Sequence, residues 1–258
     1  MDDKDQGYKM RTAIISDIHA NLEAAERVME DIERSQVHRI IHLGDMIGYG
    51  PEPEKVISLI RKKGIISIPG NHELGLLDPD EAEGFNPPAL QALMITRNYL
   101  SKESLDYLRT LPTRLIIGNA LFIHGCPPDL SSTYLHHLED HELVEAFNTT
   151  RRQFSFTGHT HMLSIISYNG QVLQEEELDE EETPLEDNRR YIINVGSVGQ
   201  PRDWDPRAKY VIWDTETARL DVRYVEYDIA VTVKKMARRG FLKKHADLLW
   251  GQPLPFPS

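Results

Sequence analysis

Cysteine is almost missing from this chain: Cys126 is the only one in 258 residues. That excludes an intramolecular disulfide and fits a reducing compartment. No apolar run approaches the roughly 18 residues expected of a membrane span, and the acidic start Met1-Asp2-Asp3 lacks the basic region that opens a signal peptide. A cytoplasmic location is therefore expected. Positive charge is also scarce, with 29 Lys and Arg against 41 Asp and Glu and a net charge of −12. A surface of that sign repels polyanions, so neither general nucleic-acid binding nor a membrane partner is expected. There is no internal repeat and no break in composition, which predicts one domain over residues 1–258. What is present, 40% hydrophobic and 27% charged residues, is an ordinary globular composition at a length that buries a full core.

Short β-branched runs alternate with longer amphipathic stretches, the pattern of an α/β fold with partly parallel strands. Strands are predicted at Thr12 to Ser16, Arg39 to Leu43 and Ile65 to Ile68. Asn21 can cap a helix bearing Leu22, Ala25, Met29 and Ile32, and Pro53 can open a second helix that Gly64 closes. A helical region follows from Pro88 to Leu111, interrupted near Ser101. From Arg114 the chain turns to strands: Leu115 to Ile117 and Leu121 to His124 around Gly118-Asn119, Phe154 to Thr157, and Leu163 to Tyr168 paired with Gln171 to Gln174 across Asn169-Gly170. A helix near Asp140 to Asn148 lies among them. Tyr191 to Val195, Tyr210 to Asp214 and Leu220 to Tyr227 complete the strands, and a basic helix from Ile229 to Arg239 leads to a proline-rich tail ending at Ser258.

Seven residues of metal-ligand type lie in five clusters: Asp17-x-His19, Gly44-Asp45, Gly70-Asn71-His72-Glu73, His124-Gly125 and Gly158-His159-Thr160-His161. Each cluster alone has an ordinary reading, since a lone Gly-Asp is a turn and a lone Asn-His a loop. Each one, however, follows a β-rich run, and open α/β sheets gather ligands beyond the carboxyl ends of their strands. Because side chains two apart on a strand share a face, Asp17 with His19 and His159 with His161 are each expected to aim at one point along an extended strand exit. Imidazole, carboxylate and amide without thiolate suit two divalent transition ions, manganese first, with iron, zinc, nickel and cobalt the other candidates. Such a pair can clamp the attacking and leaving oxygens of a phosphoryl displacement. Asp45 is the best-placed carboxylate to bridge them.

These clusters resemble the calcineurin-like metallophosphoesterases, whose pattern runs D-x-H, G-D, G-N-H-[ED], H-G and G-H-x-H. The resemblance extends through Asn194-Val195-Gly196-Ser197-Val198-Gly199-Gln200-Pro201-Arg202, which is similar to a segment of the small bacterial and archaeal phosphodiesterase branch, with Val195 where the branch has proline. It implies a four-layer α/β/β/α sandwich of two mixed sheets with a binuclear site at the carboxyl edge of the strands. It also implies that Asp17, His19, Asp45 and His161 hold the first metal and Asp45, Asn71, His124 and His159 the second. His72 would stay outside both sets as the catalytic histidine, stabilising the phosphoryl transition state or protonating the leaving oxygen. The implied activity is hydrolysis of a small phosphodiester or nucleotide through in-line attack by a metal-bridging hydroxide.

The departures from the pattern bear on substrate. Protein phosphatases carry G-D-x-x-D-R-G, where the second Asp orients the histidine and the Arg grips phosphate. This chain has Gly48 and Tyr49 there, so the orienting partner of His72 is open. Arg202 is the candidate phosphate-binding cation, against an ion pair with Asp203 or Asp205. Cys126, two residues past His124, reads as a buried inert thiol. His136, His137 and His141 are either a cap over the site or solvated residues. Glu175 to Asp187, with nine carboxylates, reads as a solvated loop. Lys234, Lys235, Arg238, Arg239, Lys243 and Lys244 make a basic surface open to solvent or to the acidic loop of a second copy in a homo-oligomer. The alternatives to a phosphodiesterase are a non-catalytic interaction scaffold of the same fold and a phosphoprotein phosphatase.

Overall fold

The computed structural model describes residues 10–128, 133–180 and 182–251; most of the expected proline-rich tail lies outside them. In chain order the elements are β1 (Arg11–Ile15), α1 (Leu22–Arg34), β2 (Arg39–His42), α2 (Pro53–Lys62), β3 (Ile66–Ser67), α3 (Asn71–Leu77), α4 (Pro87–Arg97) and α5 (Lys102–Leu108). Then come β4 (Leu115–Ile117), β5 (Ala120–Phe122), α6 (Asp140–Thr150), β6 (Phe154–Thr157), β7 (Leu163–Tyr168), β8 (Leu173–Glu176), β9 (Thr183–Pro184), β10 (Arg190–Val195), β11 (Ala208–Asp214), β12 (Arg219–Val225), α7 (Ile229–Arg238) and α8 (Lys243–Leu248).

Local chemistry sets the helix ends. The Asn21 side chain accepts from the Ala24 amide at 3.2 Å to start α1. Ser101 divides the long helical stretch by accepting from the Ser104 amide at 3.1 Å at the head of α5. Gly64 leaves α2 with φ +64°. The second hairpin strand starts later than Gln171, because the Asn169 side chain takes the amides of Gln171 and Val172 at 3.0 and 2.8 Å. Ladder pairing therefore begins at Leu173. The third predicted strand shortens to Ile66–Ser67 as the chain bends toward Gly70, and α3, which the sequence did not predict, starts at Asn71.

The strands form two mixed sheets, ordered β3-β2-β1-β11-β12-β9 and β4-β5-β6-β10-β7-β8. Strand alternation builds three apolar layers. Ile14, Ile41, Phe122, Phe156, Ile193 and Val211 fill the space between the sheets. Ala13, Ile15 and Tyr210 point the other way, onto Val28, Ile32, Val56 and Ile60 of α1 and α2. Ile166 and Ile192 meet Leu143 and Phe147 of α6 on the far side. The result is the expected four-layer α/β/β/α sandwich.

Two charged regions are more ordered than their composition implies. The acidic run supplies β8 to one sheet and β9 to the other, and Leu178 and Leu185 sink into the layer between the sheets. It is therefore anchored to the core, which corrects the reading as a solvated loop. On the basic helix, Lys235 pairs with Glu23 and Arg239 with Glu52, so part of its charge is spent within the chain. Among the described residues no helix is long and apolar enough to cross a membrane.

Candidate metal centre

In the first sheet β1, β2 and β3 are parallel, with Ile15 opposite His42 and His42 opposite Ser67. In the second, β5, β6 and β10 are parallel, with Phe122 opposite Phe156 and Asn194 opposite Thr157. Their carboxyl ends are therefore level, and the segments leaving them are stitched together. Backbone bonds join Asp17 to Gly44 at 3.0 Å, His19 to Asp45 at 2.8 Å and Gly158 to His124 at 2.8 Å. The His159 amide donates to Asp17 Oδ2 at 3.0 Å, tying one sheet to the other.

Convergence of the ligands does not come from strand alternation. Asp17, His19, Asp45, His159 and His161 have φ of 52°, 47°, 56°, 68° and 63°, so each sits in the left-handed region rather than on an extended exit. That corrects the same-face expectation. The chain turns tightly at each of these residues, and the bonds between segments hold the turns.

The expected residues meet in two overlapping groups. Ligand atoms of Asp17, His19, Asp45 and His161 lie within 4.8 Å of one another, as do those of Asp45, His124 and His159. Asn71 joins the second group, its Oδ1 3.1 Å from His124 Nε2. Asp45 Oδ2 stands between the groups, 3.7 Å from His19 Nε2 and 3.4 Å from His124 Nε2. All of the His and Asp members are buried.

The donor chemistry fits cations. Nδ1 of His19 and of His161 donate to the carbonyls of Ile47 and Gln200 at 2.9 and 2.6 Å, so the neutral rings carry bare lone pairs on Nε2. Burial lowers both pKa values and favours those neutral rings. Yet the two Nε2 atoms face each other at 2.9 Å, with buried Asp17 Oδ1 beside them lacking any hydrogen bond among the described residues. Lone pairs so arranged repel unless a positive ion lies among them. His124 repeats the theme: its Nδ1 donates to the Leu43 carbonyl at 2.8 Å, leaving Nε2 toward Asn71 Oδ1 and Asp45 Oδ2. Burial opposes a charge on His124, but the Asp45 carboxylate outweighs it and lifts the pKa to about 9. In the absence of metal, a proton meets the demand that a metal ion otherwise satisfies. The same imidazoles overcome burial at Asp17 and Asp45 and hold both carboxyls below their usual range.

His72 stands outside both groups, its Nε2 4.0 Å from Asp45 Oδ2. Its Nδ1 is buried and has no hydrogen-bond partner among the described residues. The ring is held by packing: Tyr49, His19 and Phe85 surround it at centroid distances of 4.7, 4.9 and 5.1 Å. Burial pushes its pKa down to about 4. Glu73, which sequence reasoning left without a role, fixes the two loops around it. Its carboxylate accepts from the amides of Asp45 and Gly70 at 2.7 Å each and of Ile47 at 3.1 Å. Burial and then the nearby Asp45 raise its pKa to about 8.

Beside the metal groups lies a cleft of about 350 Å³ lined in part by Asp45, Asn71, His72, His159, His161, Tyr49 and Arg202. Asp203 pairs with Lys209 at 2.9 Å and Asp205 with Arg207 at 2.6 Å, so neither holds Arg202. Instead the Arg202 guanidinium meets the hydroxyl of Tyr49, whose pKa burial raises to about 12, and a second edge bonds Gln200 Oε1 at 3.3 Å. Tyr49 therefore both packs in the fold and faces the site. Sequence reasoning missed Tyr134, whose ring stacks on His159 at 4.1 Å. The neighbouring His136 and His137 are exposed, and His141 is exposed beside Glu139 at 3.5 Å. Cys126 is buried, its thiol pushed up to about 11 by burial, as an inert role requires.

The model of the calcineurin-like phosphoesterase superfamily domain matches residues 10–218. An uncharacterized protein of Methanocaldococcus jannaschii, MJ0912, is 33% identical over 89% of this chain and 93% of its own. The crystal structure of a metallophosphoesterase from Sphaerobacter thermophilus superposes with a TM-score of 0.80 at 36% identity, covering 95% of this chain and 100% of that one. A hypothetical protein from Pyrococcus horikoshii, PH1004, shares the fold with a TM-score of 0.75 at 18% identity over 95% of this chain and 99% of its own.

Proposed function

The chain belongs to the calcineurin-like phosphoesterase superfamily and is a metal-dependent phosphoric ester hydrolase; we propose that its substrate is a small phosphodiester or nucleotide, cleaved by in-line displacement at a two-metal centre. One observation carries this reading: His19 Nε2 faces His161 Nε2, and His124 Nε2 faces Asn71 Oδ1, on either side of Asp45. Two divalent ions held there, manganese foremost, would activate a water and offset phosphate charge. Asp17, His19, Asp45 and His161 would hold one, and Asp45, Asn71, His124 and His159 the other.

The remaining roles belong to the cleft. Arg202, free of Asp203 and Asp205, presents a forked donor to phosphate oxygens. His72, kept neutral by burial, donates a hydrogen bond from Nε2 to a phosphoryl or departing oxygen, a task that needs position rather than charge. With Gly48 and Tyr49 in place of the acidic and basic pair of protein phosphatases, the site favours small substrates over phosphoproteins. The test is hydrolysis of bis-p-nitrophenyl phosphate with added manganese by Asp45→Ala and Asn71→Ala. Both variants should lose activity, and a rate near wild type in either would overturn the assignment. Phosphopeptides turned over faster than diesters would favour the protein phosphatase, and a protein that takes up no transition metal would favour the scaffold.

A further inference from the structure

We infer that His245, on α8, is a positioning residue for the phosphate-binding part of the cleft: its ring, set edge to face against Tyr49, holds the Tyr49 hydroxyl on Arg202. The inference rests on the phosphodiesterase reading, in which Arg202 takes phosphate, and adds the C-terminal helices to that site.

Tyr49 depends on its surroundings. Its φ is +35°, in the left-handed region that side chains seldom adopt, so the neighbours rather than a backbone preference fix where the ring stands. Three imidazoles enclose that ring at steep angles: His19 at a centroid distance of 4.8 Å, His72 at 4.7 Å and His245 at 4.9 Å. His19 belongs to the first metal group, and His72 lines the cleft. His245 is in neither the metal groups nor the cleft lining. It comes from beyond residue 218, where the match to the family domain ends, and it reaches the site through Tyr49.

The helices that carry it are tied to the elements around the metal centre. Thr232 of α7 donates to Glu23 Oε2 at 2.9 Å, and Arg239 donates to Glu52 Oε1 at 2.8 Å, just past Tyr49 in the chain. Met236, Phe241, Ala246 and Leu249 pack with Ala92 of α4, and Tyr49 lies against the same cluster. His245 itself is 3% exposed. Its Nδ1 has no hydrogen-bond partner among the described residues, so on that side the ring is held by packing. Burial lowers its pKa to about 4, and Lys244, Arg202 and His72 are close enough to add to the shift. The neutral ring can therefore present an edge to Tyr49, the favoured arrangement of two aromatic groups. A gap of about 10 Å³ lined by Tyr49, Thr232 and Met236 lies nearby. Once the His245 edge is removed, the Tyr49 ring has room to tilt and its hydroxyl leaves Arg202.

The test separates an aromatic edge from simple filling of space, using manganese-loaded full-length protein and bis-p-nitrophenyl phosphate. His245→Ala and His245→Leu should each raise KM by about threefold to tenfold, with kcat within about twofold of wild type. His245→Phe, which keeps a ring against Tyr49, should stay within about twofold in both constants. In a Tyr49→Ala background, His245→Leu should change KM by less than about twofold, because a residue that acts through Tyr49 then has nothing to position. A wild-type KM in His245→Leu, or KM effects that multiply in the double variant, would sink the inference. Should His245→Ala not fold, the leucine variant decides. If the wild type leaves the diester intact, the phosphodiesterase reading fails separately. Calorimetric titration with inorganic phosphate then ranks the same variants, with weaker binding expected in His245→Leu and binding equal to wild type decisive against a positioning role.

Discussion

The Nδ1 atom of His72 packs directly on Gly48: a Cβ added there would approach it to 2.2 Å, and Gly48 has φ +92°. Among the described residues no acidic side chain bonds the ring from that side, and the missing side chain at position 48 is what gives it room. Gly48→Ala should displace His72 and lower kcat on bis-p-nitrophenyl phosphate by about 10² or more, with bound metal unchanged by elemental analysis. A variant that keeps wild-type kcat would show that His72 is not held by this contact.

Tyr49 ties the loop after Asp45 to the cation supplied by the segment after β10. Tyr49→Phe keeps the ring against His19, His72 and His245 and removes only the hydroxyl that meets Arg202. A hydrogen bond to a charged group contributes about 1.5–3 kcal/mol, so KM should rise roughly tenfold or more while kcat changes little. An equal fall in kcat with KM unchanged would place the hydroxyl in the chemical step instead.

In metal-free protein the site has its own pH dependence. His124 has a folded pKa of about 9 against an ordinary 6.5, so its contribution is fully present below 6.5 and lost as pH rises through 9. Glu73, raised from 4.5 to about 8, adds a loss over the same rise, because ionising it where it is buried costs stability. Chelator-treated protein should therefore melt at lower temperature at pH 9 than at pH 6.5. Manganese should raise the melting temperature most at the alkaline end, where it no longer competes with the His124 proton. Differential scanning calorimetry at the two pH values, with and without metal, measures both.

Lys209 is fully buried and donates to the carbonyls of Asp205 and Arg207 at 2.7 and 3.1 Å while pairing with Asp203. Its removal leaves an uncompensated carboxylate beside Arg202. Lys209→Ala should cost about 3–5 kcal/mol of stability in urea unfolding. It should also weaken binding of inorganic phosphate by loosening the Arg202 segment.

The strands and the first two helices were legible because their apolar spacing is local, as with Leu22, Ala25, Met29 and Ile32. The ligands were legible because each follows an apolar run that ends in a sheet. What the sequence could not rank was set by distant partners. Arg202 has acidic neighbours at 203 and 205, yet Lys209 and Arg207 take them. The parallel pairing of β5 with β6 decides which loops meet, and it brings Tyr134, from the segment after β5, onto His159 after β6. Helix α3 was hidden by its brevity, with Gly75 inside it. The left-handed turns at the ligands were hidden too, because non-glycine residues seldom adopt them, and although Asp and His do so more often than most, nothing local marks which ones will.

Those left-handed ligands also set a direction for sequence change. Each non-glycine residue so placed costs of order 1–3 kcal/mol, and five of them are the proposed metal-binding Asp17, His19, Asp45, His159 and His161. A population screened only for heat resistance without metal should therefore drift toward glycine or asparagine at these positions. Thermal robustness would then climb as catalytic competence disappeared, a trade that any directed-evolution campaign on this scaffold must counter by selecting for turnover as well.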